Sequence, residues 1–488
     1  MLTVSEKKRI LTNNIYGVDV DAQAVEVTKL SLLLKVLEGE SQEVLAKQLA
    51  LFHERALPDL GSNIKCGNSL VGTDWYGTED GARADRDLRA RINAFDWATA
   101  FKEVFERTRG GFDAVVGNPP YVFGEYLDIV SKTYYRDRYA VAASGQFDLY
   151  WLFVERALAL ARSPGRFAMI VPDAILARDE AAPVRRVLLT AGLERVYHCG
   201  LVFAAMVSAT VIAAAKGHDP ETLMVDRRDG LSPVHERVCT RSRFASDRDA
   251  RLLIHMSDDE ASVLRRVESA SDRMERFVTV SRGEELGKRN VLAAGPVPIL
   301  VGEDVGRYEL RPPSHFVTGL TKGSDAYAAP KVVVVKTGSR CVAALDLDGV
   351  ATMQSLYNLH VDGVDPKAVL GILNSAFVQW FVDKTFTAYK LLFPQLNQTT
   401  LLGIPVPGDL SGRQGPLVDE VDGLSVLHRE LGAARAPSDL ERIGRELAAA
   451  DRRIDDLVYG LFGLSSADRA VLLRDGAQPT AGLEVAGD

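Results

Sequence analysis

Phe112-Asp113-Ala114-Val115-Val116-Gly117-Asn118-Pro119-Pro120-Tyr121 decides how this chain is read. Phe112–Val116 has the apolar, β-branched character of a buried strand, and Gly110-Gly111 ahead of it marks a turn. A strand that ends in a polar residue and two prolines delivers that polar residue to the C-terminal edge of a sheet, where open α/β sheets gather their reacting groups. By residue frequencies the tetrapeptide 118–121 arises by chance in on the order of one chain in a thousand. The competing reading is a Pro-Pro turn that only closes a strand.

Outward from this stretch, β-rich runs alternate with amphipathic helical patterns from Ile15 to about Gly217, the signature of a mostly parallel sheet covered by helices. Strands are predicted at Ile15–Val20, Asn63–Cys66, Arg166–Val171, Arg195–Cys199 and Ala209–Ala215. Val27, Leu30, Leu34 and Leu37 recur at spacings of three and four, predicting a helix with that face inward and Gly39 as its stop. Further helices are predicted near Leu88–Arg107, around Trp151, Val154 and Leu158, and near Ala181–Ala191.

Beyond Gly217 the alternation stops, and residues 218–276 read as a polar connector with a helix near Asp258–Glu268. Residues 277–410 read as a second, α+β domain, with short strands at Val297–Val301, Lys331–Val335 and Cys341–Leu345 and helices at Lys367–Asn374 and Phe377–Lys384. In residues 411–488, Leu440, Ile443, Leu447, Ile454, Leu457, Val458 and Leu461 recur at helical spacing, Gly463 is a stop and Ser465–Asp468 a capping box, so a C-terminal helical hairpin is expected.

At 488 residues, 47% hydrophobic and 25% charged, the composition is that of an ordinary globular protein with room for several cores, which excludes extended disorder. The run Gly200–Ala215 contains Ser208 and Thr210 and falls short of the ~20 apolar residues of a membrane span, and Glu6, Lys7, Lys8 and Arg9 occupy the place of a signal sequence's apolar core. A cytoplasmic protein with no membrane partner is expected. Cys66, Cys199, Cys239 and Cys341 show no paired spacing, so neither a metal site nor a disulfide framework is expected and all four read as buried free thiols. The net charge of −8 argues against bulk attraction to nucleic acid, while the stretch Arg265–Arg340 carries +4 and marks a place for local contact with a polyanion.

The chemistry that an Asn-Pro-Pro-Tyr corner suits is attack by an exocyclic amine of adenine, whose lone pair is delocalised into the ring. The Asn118 side-chain carbonyl and the Pro119 backbone carbonyl can each accept one amine N–H, drawing electron density back onto nitrogen. Pro119 and Pro120 stiffen the corner, and Tyr121 can stack on a base that has left its duplex.

On these residues the chain resembles the N6-adenine-specific DNA methyltransferases of restriction-modification and related phage-defence systems, especially those with a TaqI-like C-terminal specificity domain. The resemblance implies an incomplete Rossmann-like methyltransferase sheet in residues 1–217, a class I catalytic domain that is only partial, and a target-recognition domain in residues 277–410. Tyr16-Gly17-Val18-Asp19-Val20-Asp21 is similar to the acidic motif, which implies that Asp19 holds the ribose hydroxyls of S-adenosylmethionine; the alternative for Asp19 is an acidic residue at a helix start, where Asp21 is the better cap. Cys66-Gly67-Asn68-Ser69-Leu70 is similar to the next motif and implies that Asn68 lies against the cofactor's adenine, with Asn118 also beside the cofactor. Leu201-Val202-Phe203 resembles the motif whose Phe packs on the extruded base, implying a Tyr121–Phe203 sandwich; a core Phe is the alternative.

Ser281–Lys288, Asp365–Phe381 with Leu373-Asn374-Ser375, and Gln395-Leu396 through Ile404-Pro405-Val406-Pro407 resemble the specificity domain, and Arg282, Lys288 and Arg289 are candidates for contact with double-stranded DNA. The family pattern also puts a glycine-rich loop and its strand before the acidic motif, whereas Met1–Asn14 has no glycine. The expectation is therefore a sheet without its centre, completed by a second polypeptide or by a longer reading frame. Two functions follow: site-specific adenine methylation with the cofactor loop supplied from outside, and a non-catalytic subunit that recognises DNA for a defence complex. Methylation of a glutamine amide or of ribosomal RNA shares the tetrapeptide, but the long second domain speaks against it.

Overall fold

Two short parallel strands stand apart from a six-stranded sheet in the N-terminal half of the computed structural model, which describes residues 2–38, 58–202, 207–229, 232–287, 290–338, 340–386 and 396–473. The chain divides into two units, Met1–Ala245 and Ser246–Asp488.

Helix α1 (Val4–Asn14) starts at a reciprocal capping box in which the Thr3 hydroxyl accepts from the Glu6 N–H and the Glu6 carboxylate accepts from the Thr3 N–H. Strand β1 (Gly17–Asp19) runs into helix α2 (Ala22–Leu37), capped by Asp21, and pairs in parallel with β2 (Ile64–Cys66), Asp19 opposite Cys66. Val4, Leu11, Val25, Val36, Leu60 and Ile64 close a small core between them.

The inward face of α2 is not the expected one. Val25 and Val36 are buried, with Leu32 and Leu33 packed beside them, while Val27, Leu30 and Leu34 stand 63%, 56% and 58% exposed. The helix thus carries a second apolar face, of Val27, Leu30 and Leu34, beside the one that meets the core, and this second face is exposed.

The larger sheet has the order β3 (Phe112–Gly117), β4 (Ala161–Pro172), β6 (Ser208–Lys216), β5 (Leu193–Leu201), β7 (Thr222–Asp229), β8 (Ser232–Thr240). β3 and β4 are parallel, β6 is antiparallel to both its neighbours, and β7 runs parallel to β5. Thr222–Asp229 and Ser232–Thr240, read from sequence as part of a connector, thus form an antiparallel pair that extends the sheet. Trp151, Leu152 and Val154 of helix Leu149–Leu160 are buried with Phe167, Val171, Val196 and Ile212 of the sheet. Gly111 is required at the entrance to β3: its φ is +124°, and a Cβ would lie 2.7 Å from the Leu160 carbonyl oxygen.

The single helix expected near 88–107 is three short ones, Arg86–Ile92, Trp97–Ala100 and Lys102–Phe105. Asn93 adopts a left-handed conformation that ends the first, and Asp96 caps the second. The break lets Phe101 and Phe105 pack edge-on against Phe112. Cys66 is exposed, contrary to the expectation of four buried thiols; Cys199, Cys239 and Cys341 are buried.

In the second unit, β10 (Val278–Arg282), β18 (Leu356–Val361), β15 (Lys331–Val335) and β16 (Ala343–Asp346) form an antiparallel sheet, and β14 (His315–Val317), β11 (Val297–Leu300) and β17 (Ala351–Thr352) a second small one. Asn374 ends helix Pro366–Asn374 and pairs with both backbone groups of Ala343, while Ser375 caps the next helix, Ala376–Thr385. Helices Gly415–Ala433 and Pro437–Leu461 pack together, followed by Ser466–Leu473 behind the Ser465/Asp468 capping box. None of the described helices is long and apolar enough to cross a membrane.

Candidate functional site

Asn118 is exposed immediately after β3, Pro119 is buried, Pro120 is exposed and Tyr121 is half-buried. The corner is therefore anchored through Pro119 and Tyr121 and presents Asn118 outward. The Tyr121 hydroxyl donates to the Ile170 carbonyl of β4 at 3.3 Å, and its ring meets that of Tyr150 edge-on at 6.3 Å. Burial, with the nearby Cys199 thiol, raises the Tyr121 phenol above its ordinary value, so it stays neutral at physiological pH. Phe203, its expected partner in a base sandwich, lies outside the described residues.

Asp19 is exposed at the C-terminal end of β1; its Oδ1 accepts from the Asp21 N–H at 2.8 Å. Asp21 makes the helix cap, so Asp19 is not spent on capping. Asn68 lies next to this strand end, because Gly67 N–H donates to the Asp19 carbonyl. Its side chain is committed to the turn: Oδ1 accepts from Leu70 and Val71 N–H, and Nδ2 donates to the Ile92 carbonyl. Asn68 thus shapes the edge on which Asp19 sits. The exposed Asp19 carboxylate has the chemistry to accept a pair of ribose hydroxyls, as the ribose of S-adenosylmethionine would offer.

Three features beside the corner were not visible in the sequence. His198 Nε2 lies 3.3 Å from Asp173 Oδ2, both residues buried, at the ends of β5 and β4. Two residues after Tyr121, Phe123 pairs with Asp148 in a β-bridge and borders a cleft of about 310 Å³ with Lys132, Arg136 and Arg178. Burial raises the Asp148 carboxyl, Arg178 at 3.3 Å pulls it down and Glu180 pushes it up; the net shift is upward. Tyr126 and Ile129 project nearby, 75% and 74% exposed.

In the second unit, Arg282 is exposed at the end of β10, whereas Lys288 and Arg289 lie outside the described residues, as does Gln395. The loop after Arg282 is held by Glu284, fully buried, which accepts from the N–H groups of Thr321 and Lys322 and from the hydroxyls of Thr321 and Tyr327. Burial pushes this carboxyl up, but those hydrogen bonds outweigh it and hold it below its usual value. The Lys322 ammonium donates to the carbonyls of Arg282 and Gly283, adding a cation that the sequence reading overlooked.

Residues 13–201 match the family model described as Eco57I restriction-modification methylase, and residues 297–406 match the TaqI-like C-terminal specificity domain. The type II restriction enzyme and methyltransferase RM.Eco57I of Escherichia coli is 32% identical over 185 residues, covering 37% of this chain and 16% of that protein, so the chain corresponds to a small part of that relative. The type II methyltransferase M.TthHB8I of Thermus thermophilus is 28% identical over 335 residues, covering 60% of this chain and 72% of that protein. Among solved structures, the type IIL restriction-modification enzyme MmeI in complex with DNA shares the fold with a TM-score of 0.51 at 10% identity, over 95% of this chain and 72% of that one.

Proposed function

We propose that this chain, an Eco57I-type restriction-modification methylase segment joined to a TaqI-like specificity domain, methylates the exocyclic N6 amine of adenine in double-stranded DNA within a restriction-modification or related defence system, using S-adenosylmethionine. The observation that carries the reading is the corner after β3, where Asn118 is presented outward while Pro119 and Tyr121 anchor it.

In this reading the target adenine leaves the duplex and lies against the corner. The Asn118 carbonyl and the Pro119 backbone carbonyl accept the two amine N–H bonds, which returns electron density to nitrogen as it attacks. The neutral Tyr121 ring, fixed through its hydroxyl, stacks on the base, and Phe203 completes the sandwich. Asp19 accepts the ribose hydroxyls of the cofactor, with Asn68 shaping the edge beside it. When bound, S-adenosylmethionine supplies an activated methyl group.

The strand and glycine loop that cradle the methionine end come from outside the described residues, in a partner polypeptide or an additional segment. Support for this is the uncovered face of α2 and the 80% exposure of Val116 on β3, two apolar surfaces on either side of a break in the sheet.

The test is transfer of a tritiated methyl group to duplex DNA by the chain combined with that segment. Label is expected in N6-methyladenine. Label in cytosine, or none with an active cofactor segment present, overturns the assignment.

A further inference from the structure

We infer that Phe123, Tyr126 and Ile129 form an apolar wedge that enters the DNA base stack beside the target adenine, with Lys132 and Arg136 seated on the adjoining phosphates. This rests on the proposed action on DNA and extends it to residues that have no role there.

The three side chains are 49%, 75% and 74% exposed, and the rings of Phe123 and Tyr126 meet edge-on at 6.3 Å. They begin two residues beyond Tyr121, on the segment that continues directly from the corner. Exposed large apolar groups clustered within seven residues mark a contact surface.

The segment that carries them is held by its backbone. Gly124 N–H donates to the Phe147 carbonyl, Leu149 N–H donates to the Val122 carbonyl, and a Cβ at Gly124 would lie 2.5 Å from the Phe147 oxygen. Asp128 caps helix Ile129–Arg138 through the N–H and hydroxyl of Ser131. The apolar groups are thus presented on a fixed base, which lowers the ordering cost of inserting them.

The charges around the patch select the occupant. Ile129, Lys132 and Arg136 follow one another along one helix face. Lys132 donates to the Glu125 carbonyl and Arg136 to the Gly145 carbonyl, and among the described residues neither meets a carboxylate. The Arg178 guanidinium lies 5.7 Å over the Phe123 ring. Arg178 is itself paired with Asp148 and Glu180, which leaves Lys132 and Arg136 as the cations open to an anion. Aromatic and aliphatic groups beside two such cations suit a ligand with flat apolar faces and a polyanionic edge, which is a base stack with its phosphates. A base that leaves the duplex opens a gap, and an inserted side chain keeps it open.

The experiment measures binding of the full chain to a duplex oligonucleotide across a salt series. Tyr126→Ala with Ile129→Ala is expected to lower affinity about tenfold with the salt slope unchanged, since no charge is lost. Lys132→Ala with Arg136→Ala is expected to reduce the magnitude of the slope by about two. In Tyr126→Trp, the added tryptophan fluorescence should be quenched by DNA but not by heparin, a polyanion without bases. Unchanged affinity in the apolar variant, or quenching by heparin equal to that by DNA, overturns the wedge and leaves the patch to a protein partner. Failure of the unmodified chain to bind the duplex would instead count against the DNA-directed function itself.

Discussion

The Tyr16 ring lies 5.6 Å from the Phe112 ring, yet β1, which follows Tyr16, and β3, which Phe112 opens, belong to separate sheets. An aromatic cluster of Phe95, Trp97, Phe101 and Phe105 joins them from the side. The two sheets are thereby held near each other while the facing edge of β3 has no strand beside it among the described residues. Val116, Leu30 and Leu34 are exposed apolar groups that the proposed added strand and helix are expected to cover. The chain alone is expected to transfer negligible methyl label, and activity should appear when a strand, glycine-loop and helix segment from a relative is added or fused upstream. Leu30→Glu with Leu34→Glu should abolish that gain without unfolding the chain, because both residues are exposed. Full activity of the unmodified chain alone would sink the idea.

Asn118→Ala in the completed system is expected to lower kcat by about 10²–10³, the usual effect of deleting one hydrogen bond made in the transition state. Affinity for DNA should stay near its original value, because Asn118 is a single uncharged side chain. Wild-type turnover in this variant would remove Asn118 from the chemistry, and a chain that only recognises DNA would show no turnover in either form.

Much of this was legible in advance, and the exceptions have physical reasons. β4 and β6 stand out because strands largely covered by neighbours carry near-continuous apolar runs, and β3 carries the same kind of run although Val116 stands exposed. The strands Thr222–Asp229 and Ser232–Thr240 were missed because Asp226 to Asp229 and His235 to Arg237 put charged and polar residues into both, while backbone pairing to β5 and to each other holds them in the sheet. For α2, periodicity revealed an apolar stripe but could not say that Val25 and Val36, and not Leu30 and Leu34, meet the core. Asn118 was found because two prolines make its setting unusual, whereas Phe123, Tyr126 and Ile129 look like core residues until their exposure is known. Glu284 offers no local signal at all, since its donors come from residues 321–327.

Lys331 and Asp346 face each other across β15 and β16, both fully buried and ion-paired. Lys331 Nζ also donates to the carbonyls of Tyr327 and Val350, and Asp346 accepts from the N–H groups of Asp348, Gly349 and Val350. Lys331→Met leaves a buried carboxylate without its cation and should destabilise the second unit by about 3–5 kcal/mol in urea denaturation. Adding Asp346→Asn should recover part of the loss by removing the charge while keeping an acceptor for the turn. A single variant as stable as the parent would contradict this account.

Asp455 accepts from the Ala376 N–H at 2.7 Å at the start of helix Ala376–Thr385. Burial raises its carboxyl most; the Ala376 bond opposes this, Asp451 adds to it and Arg307 counters, giving a pKa of about 6 against 3.8 in the unfolded chain. Between those values the folded state binds the extra proton, so this group's contribution falls as pH rises from about 4 to 6 and is a net penalty above. Asp455→Asn should therefore gain stability relative to the parent across that window, by roughly 2–3 kcal/mol at most. A difference that stays flat from pH 4 to pH 7 would show that Asp455 does not titrate in this way.

Recognition of the DNA sequence should reside in residues 277–410, where Arg282 stands exposed at the end of β10 and Lys322 braces the following loop. Gly283 fixes the path of that loop, since a Cβ there would lie 2.2 Å from the Met353 carbonyl oxygen. Arg282, Lys288 and Arg289 each have two ways to contribute. A residue on a phosphate, replaced by Ala, should weaken binding to all sequences alike and reduce the magnitude of the salt slope by about 0.9. A residue on a base edge should relax one position of the methylated site at a loss of about 1–3 kcal/mol. Grafting residues 277–410 from a relative with a different target should move the methylated sequence to that of the donor, because the corner at Asn118 needs only an extruded adenine. If the graft folds and methylates the original sequence, recognition lies outside this segment, and the wedge beside Tyr121 becomes the next place to look for it.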